Sequence, residues 1–242
     1  MDPIEVATAY LDALVRRDPS GLPVTADVRR VVNGRASAVG DDALYESIRH
    51  ELPLTIAPDR RWVVGSDELV AFYDLSADTG EGGLVSVTVS ERFGLRDGLI
   101  CDIEAFHTMT PGSPMGWLDG VAEGAADEEV VSAVRAYLDA LVSHDASAVS
   151  LADDVRRVEN GIVNGEGSRH LRIELESDIM QMVQGISDER WVIAGDSAAV
   201  FYNLSAGSPG KVMPVMIAER FRIDRGALVE IEAVFTMPKD ES

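Results

Sequence analysis

The chain has 242 residues, 46% of them hydrophobic and 26% charged, the balance of a soluble globular protein long enough for two small domains. A net charge of −21, from 42 acidic against 21 basic residues, argues against a nucleic-acid or anionic-membrane surface, because such partners need basic patches. A single cysteine, Cys101, excludes an intrachain disulfide and fits a reducing cytoplasm, while the N-terminal stretch, with no basic region before a continuous apolar run, supports neither secretion nor membrane insertion.

Asp2 and Pro3 read as a helix start, after which Ile4, Ala7, Thr8, Leu11, Leu14 and Val15 recur at helical spacing. Tyr10 lies at the edge of that stripe, where its ring stays in the apolar layer and its hydroxyl can reach a cavity; an ordinary boundary tyrosine bonded to a carbonyl is the alternative. After Asp18-Pro19 and a short turn or helix comes a VRRV strand, which stops at the turn signal Asn33-Gly34. A second helix is expected over Asp41 to Glu51, ended by Pro53 and Pro58, and four strands near 61–65, 69–76, 84–95 and 99–109.

In the third of these strands Val85, Val87, Val89, Glu91, Phe93 and Leu95 alternate onto one face, and Glu91 is the exception among apolar neighbours. A carboxyl there needs a partner, a cavity with water, or a raised pKa that keeps it protonated. On the last strand Leu99, Cys101, Ile103, Ala105 and His107 share a face. That makes Cys101 a core thiol and places the His107 imidazole where it could act with Glu91 as an acid–base pair, the alternative being a partly exposed strand-end histidine. On the opposite face Asp102 and Glu104 can pair with Arg92 across the strands, a structural role.

A Pro-, Gly- and acid-rich run from Thr110 to Glu129 reads as a linker, giving a first domain over 1–110, a linker over 111–128 that Trp117 is expected to pin, and a second domain over 129–242. The second domain repeats the first. TADVRRVVNG at Thr25 to Gly34 is answered by ADDVRRVENG at Ala152 to Gly161, AFYDLSA by VFYNLSA, and SERFGL by AERFRI. Tyr10 and Tyr137 are 127 apart, Trp62 and Trp191 129, Phe93 and Phe221 128.

Val130, Val134, Leu138, Leu141 and Val142 form the helical stripe of this copy, with Tyr137 at its edge. A second helix is expected over Ser168 to Val183, ended by Gly185, and strands near 190–194, 198–205, 212–223 and 227–237. Met213, Val215, Ile217, Glu219, Phe221 and Ile223 alternate as in the first copy, with Glu219 in the place of Glu91; Val229, Ile231, Ala233 and Phe235 form the inner face of the last strand, and Glu230 and Glu232 face Arg220 and Arg222. On the VRRVEN strand alternation leaves two readings: Val155, Arg157 and Glu159 inward, or Arg156, Val158 and Asn160. Helices followed by a meander predict an α+β domain whose antiparallel sheet is covered on one face.

A helix with an edge tyrosine, a following aspartate, a DDVRRVEN-like strand, a second helix and a meander with an acid two before Phe resembles the NTF2-like superfamily, whose SnoaL-like polyketide cyclases and ketosteroid isomerases are the nearest enzymes. The ENG, GEG and EIEAVF segments also look like a SnoaL-like branch to which fungal meroterpenoid isomerases and cyclases are related, and the tandem arrangement is similar to that of the polyether epoxide-opening cyclases. The resemblance implies two cones, each a curved sheet with helices on its concave side around an apolar pocket. It also implies pairing through the outer sheet faces, here within one chain as a monomeric pseudo-dimer.

By the same resemblance Tyr137 falls where the isomerases keep an oxyanion-stabilising tyrosine, Glu159 where they keep the general base, and Glu219 where a protonated acid donates a second hydrogen bond. The family's base is commonly an Asp before Pro, whereas Glu159 precedes Asn160. In the first copy Tyr10 and Glu91 have counterparts, but Val32 stands in the base's place, which implies a degenerate site or a substitute in His107.

No metal spacing joins His50, His107, His144 and His170, and GEG at 165–167 is not a dinucleotide fingerprint. The expectation is therefore cofactor-independent isomerisation, cyclisation or dehydration of a small apolar organic molecule, mainly in the second domain. The alternative is a non-catalytic binding or assembly module.

Overall fold

The computed structural model describes residues 1–78, 80, 83–109, 121–122, 128–208 and 210–237. Helix α1 (Pro3–Arg16) starts as expected: Asp2 accepts from the Ile4 amide at 2.8 Å, Glu5 reaches back to the Asp2 amide at 3.3 Å, and Pro3 occupies the first turn. Its buried face, including Val6, Tyr10, Leu11 and Leu14, lies on the inner side of a sheet. There follow β1 (Val24–Val32), β2 (Arg35–Val39), α2 (Asp41–Arg49), β3 (Leu54–Ile56), β4 (Arg61–Val64), β5 (Glu68–Asp78), β6 (Leu84–Arg96), β7 (Leu99–Met109) and β8 (Val121–Ala122). The second half comprises α3 (Glu128–Ser143), β9 (Leu151–Glu159), β10 (Ile162–Glu166), α4 (Ser168–Leu175), a 3₁₀ turn (Met180–Met182), β11 (Val183–Ala194), β12 (Ser197–Ser208), β13 (Lys211–Asp224) and β14 (Ala227–Thr236).

Among the described residues the first sheet runs β2-β1-β7-β6-β5-β4-β8, with β3 on β5, and the second β10-β9-β14-β13-β12-β11. Each is mixed rather than purely antiparallel, because the VRRV strand passes through a helix before the meander and joins the last strand in parallel: β1 with β7, and β9 with β14. The hairpin partners β2 and β10 were not expected. Asn33 and Gly34 have φ of 48° and 75°, and Asn160 and Gly161 47° and 79°, the left-handed pair that closes a two-residue hairpin rather than merely ending a strand.

Two expectations fail at irregularities. Helix α4 stops at Leu175 instead of Val183, where Ser177 offers its Oγ to the Met180 amide at 3.4 Å and the chain turns into β11. Register shifts between Gly94 and Leu95, and between Arg222 and Ile223, reset the alternation of β7 and β14. Ile100 and Leu228 therefore enter the core. Leu99 is left 37% exposed, Cys101 is half-buried with its Sγ donating to the Gly94 carbonyl, and Val229 lines a surface groove. Trp117 and the proposed pinning of the linker lie outside the described residues.

Inside each half the helix tyrosine meets a strand phenylalanine edge-on: Tyr10 and Phe93 at 5.5 Å, Tyr137 and Phe221 at 5.4 Å. The outer faces of the two sheets pack against each other. Val63, Val70, Phe72 and Phe106 share a buried cluster with Val192, Phe201, Met216 and Val234, with Phe106 and Phe201 5.0 Å apart. Around that cluster Arg61 bonds Glu232 and Arg190 bonds Glu104, both with Nε near 3 Å. Arg61 and Arg190 occupy equivalent repeat positions, as do Glu104 and Glu232, so the two halves meet with the reciprocity of a two-fold interface. Within each sheet Glu104 also faces Arg92 at 3.4 Å and Glu232 faces Arg220 at 3.6 Å.

Candidate active site

The inner face of the second sheet opens into a cavity of about 190 Å³, walled by apolar side chains such as Leu141, Leu204, Val215 and Phe235. Four polar side chains line it: Arg157, Glu159, Tyr202 and Glu219. Strict alternation along β13 aims Glu219 inward between Ile217 and Phe221, and pairing sets it beside Val200 on β12 and Ala233 on β14. Two larger openings, at Arg156, Arg222 and Glu230 and at the seam holding Arg92, Glu104 and Arg190, are charged surface clefts that contain none of these residues.

Glu219 is 2% exposed and accepts a hydrogen bond from Tyr202 Oη at 2.6 Å. Burial pushes its pKa up to about 7; the positive charge of Arg157 and the Tyr202 hydroxyl oppose the rise, and the neighbouring carboxyl of Glu159 adds to it. Tyr137 Oη is buried with no hydrogen-bond partner among the described residues, although it lies close enough to Glu219 to favour that residue's charged form. Burial also keeps the Tyr137 hydroxyl firmly protonated. It is thus a buried donor beside Glu219, while the side chains that line the cavity itself do not include Tyr137.

Glu159 stands at the end of β9, half-buried, and accepts from Arg157 and from Asn164 Nδ2. Burial raises its pKa, against the pull of Arg157. Arg157 also pairs with Glu174 of α4 at 3.2 Å. Burial works against its charge, but the surrounding Tyr137, Glu159, Glu174 and Glu219 hold it protonated. Of the two readings of β9, the structure has Val155 in the inner core and Arg157 and Glu159 on the cavity.

Asn160 is in the hairpin turn instead, its Oδ1 accepting from the Phe235 amide at 2.9 Å and its own amide donating to the Ala233 carbonyl at 2.8 Å. Replacing Asn160 with Ala should cost about 2 kcal/mol, from one part-buried hydrogen bond and the left-handed backbone, as read by urea denaturation.

The first half has the same frame with one part changed. Glu91 is fully buried and accepts from Tyr73 Oη at 2.7 Å; Tyr10 Oη and Glu91 Oε1 are buried without partners among the described residues. Arg30, the counterpart of Arg157, turns to Ser47 at 3.3 Å and Glu51 at 3.8 Å, because Val32 offers no carboxylate. Burial, helped by Arg30, lowers the pKa of His107 to about 4, so its ring is neutral. The structure joins His107 to Asn33 through its backbone, and no hydrogen bond or ion pair links its ring to Glu91 among the described residues.

Tyr73 and Tyr202 are site residues that helical or strand alternation alone does not single out. The signal was present in the second aromatic of AFYDLSA and VFYNLSA, which falls on the inner face with Val200 and Leu204.

The raised pKa of Glu219 has a consequence for stability. A carboxyl whose folded pKa lies above its unfolded one stabilises the fold fully below the unfolded value, and this contribution is lost as pH rises through about 7. Wild type should therefore lose more thermal stability than Glu219→Gln between pH 4.5 and pH 8, and equal losses in a differential scan would refute the protonated, buried carboxyl.

Among the described residues no group of three or more His, Cys, Asp or Glu side chains is arranged to hold a metal ion, and no helix is long and apolar enough to cross a membrane.

Comparison with solved structures finds proteins that each span about one half of the chain. An LEH-like epoxide hydrolase of M. tuberculosis is 21% identical, covering 45% of this chain and 83% of its own, with a TM-score of 0.41. An NTF2-like protein of unknown function from Burkholderia xenovorans is 20% identical, covering 49% and 91%, with a TM-score of 0.40. Another from Cytophaga hutchinsonii is 14% identical, covering 44% and 89%, with a TM-score of 0.37. No functionally curated protein matches the chain. The family model described as Domain of unknown function (DUF8021) matches residues 2–107 and again 124–235, and with the same order of helices and mixed sheet built twice the chain belongs to that family as a tandem of two such domains.

Proposed function

We propose that the second half is a cofactor-independent acid–base enzyme acting on a small apolar carbonyl compound, as an isomerase, cyclase or dehydratase, in a chain that works as a monomer in the reducing cytoplasm. The observation that carries this reading is that two carboxyls share one apolar chamber in different environments. Glu159 accepts from Arg157 and Asn164, and the Arg157 charge favours its ionised form against the burial that raises its pKa, while Glu219 is sequestered beside Tyr202 with its pKa pushed up to about 7.

In the proposed reaction Glu159 accepts a proton from the carbon next to the guest's carbonyl. Tyr137 Oη and the Glu219 acid proton stabilise the oxygen as it gains negative charge. Because Tyr202 donates to Glu219 Oε2, the acid proton belongs on Oε1. Returning the proton from Glu159 to the γ-carbon of a β,γ-unsaturated ketone moves its double bond; attack by the enolate carbon on a second carbonyl of the guest, whose π bond breaks and whose oxygen takes the proton from Glu159, closes a ring; loss of a β-hydroxyl as water with that proton dehydrates. No net oxidation occurs in any of them.

The test needs no natural substrate. Incubating the protein with cyclohexanone in D₂O should accelerate exchange of the α-protons, seen by NMR, in a saturable manner that buffer and heat-denatured protein do not reproduce. Binding without exchange would favour the second reading, a ligand-holding module. That reading has its own support, since the bonds of Glu159 to Arg157 and Asn164 would equally hold a purely structural carboxylate.

A further inference from the structure

Resting on that reading of the chamber, we infer that its guest has two parts: a single reacting ring inside, and a flexible apolar tail that leaves across a rim of methionines. An apolar cavity of about 150 Å³ takes one benzene, and drug-sized ligands occupy about 300–1,000 Å³. At about 190 Å³ this chamber matches one six-membered ring with few substituents, so any larger guest extends out of it.

Strand register shows where the rest of a larger guest goes. Starting from Val200 beside Glu219, successive inner-face rows on β12 and β13 are Tyr202 with Ile217, Leu204 with Val215, and Ala206 with Met213. Val183 of β11 pairs with Ala206 in the last row. These rows run about 20 Å from the carboxyl, at roughly 3.3 Å per residue, far beyond one ring. They stay apolar to the end, where Met213 is 54% exposed. The 3₁₀ turn continues the same surface: Met180 lines the chamber, while Ile179 and Met182 are 72% and 48% exposed. Methionine is unbranched and polarisable, suited to a chain with no fixed conformation. The rim is thus continuous with the chamber through Met180 and Val215, and its occupant is the guest's own hydrocarbon tail.

The test compares cyclohexanone with 4-hexylcyclohexanone by isothermal titration against wild type and the double variant Met182→Gln, Met213→Gln. Full burial of a methylene is worth about a fourfold gain in affinity, so a one-sided rim should give about twofold per carbon, or roughly 50-fold for the hexyl chain. In the double variant that ratio should collapse to about fivefold, with a melting temperature showing that the protein is folded.

If the ring ketone binds but the tail adds nothing in wild type, the two-part guest is wrong while the acid–base chamber stands. Failure of both ketones to bind would remove the chamber and this inference together. A tail gain that survives in the double variant places the tail elsewhere. A concentration-dependent dimer abolished by the double variant would assign the rim to a second copy of the chain and overturn the proposal.

Discussion

Glu159→Gln is expected to slow α-proton exchange by about 10²–10⁴-fold, the usual worth of a positioned general base, with circular dichroism unchanged. Glutamine has the same shape, its carbonyl can still accept from Arg157, and rotation of the Asn164 amide restores a partner for the new NH₂. What disappears is the site for the proton. Glu219→Gln should lose about 10²–10³-fold at most, because an amide still donates to the developing oxyanion, though less strongly than an acid.

The pH dependence separates the two roles. Wild-type exchange should fall as pH rises through about 7, where Glu219 loses its proton, and in Glu219→Gln that falling arm should vanish. Exchange by Glu159→Gln within threefold of wild type would reject Glu159 as the base, whatever its place on the cavity wall.

Much of this arrangement was legible in the residues because duplication asks each question twice. A lone carboxyl among alternating apolar side chains is ambiguous, but Glu91 and Glu219 recur at one repeat position, and both are buried beside a tyrosine. What alternation could not supply is where alternation stops. The sequence left Glu159 and Asn160 as rivals for the pocket, yet the Asn-Gly pair that ends the strand takes left-handed backbone and removes Asn160 from the pleat. The same blindness misplaced Cys101 and Val229, whose strands carry a register shift that no residue type announces. Parallel pairing of β1 with β7 is also silent locally, since the two strands lie some seventy residues apart and only the closed sheet brings them together. Arg61 went unremarked because its partner belongs to the other half of the chain.

That partner makes Arg61→Met the largest expected loss of stability. Arg61 and Glu232 are 1% and 0% exposed, packed beside the apolar seam between the two sheets. Removing the guanidinium strands a carboxylate in a dry interface with Arg220, at 3.6 Å, as its other cation. Breaking a buried pair in this way costs about 3 kcal/mol, or a drop of about 10 °C in melting temperature for a chain of this size.

The pseudo-symmetric change, Arg190→Met, provides the internal control. Arg190 and Glu104 make the same bond but are 28% and 16% exposed, so water takes over part of the lost partner's role and the cost should stay near 1 kcal/mol. Adding Glu232→Gln to Arg61→Met should recover at least about 1 kcal/mol by removing the stranded charge, a coupling that a double-mutant cycle reads directly. Equal losses for Arg61→Met and Arg190→Met would mean that burial does not set the strength of these pairs. Because Arg220 and Glu232 sit one residue from Glu219 and Ala233 on the reverse side of the same two strands, the seam and the chamber share a wall. A variant that loosens the first and admits water to the second should therefore also move the falling arm of exchange from near pH 7 to lower pH, because burial is what raises the Glu219 pKa.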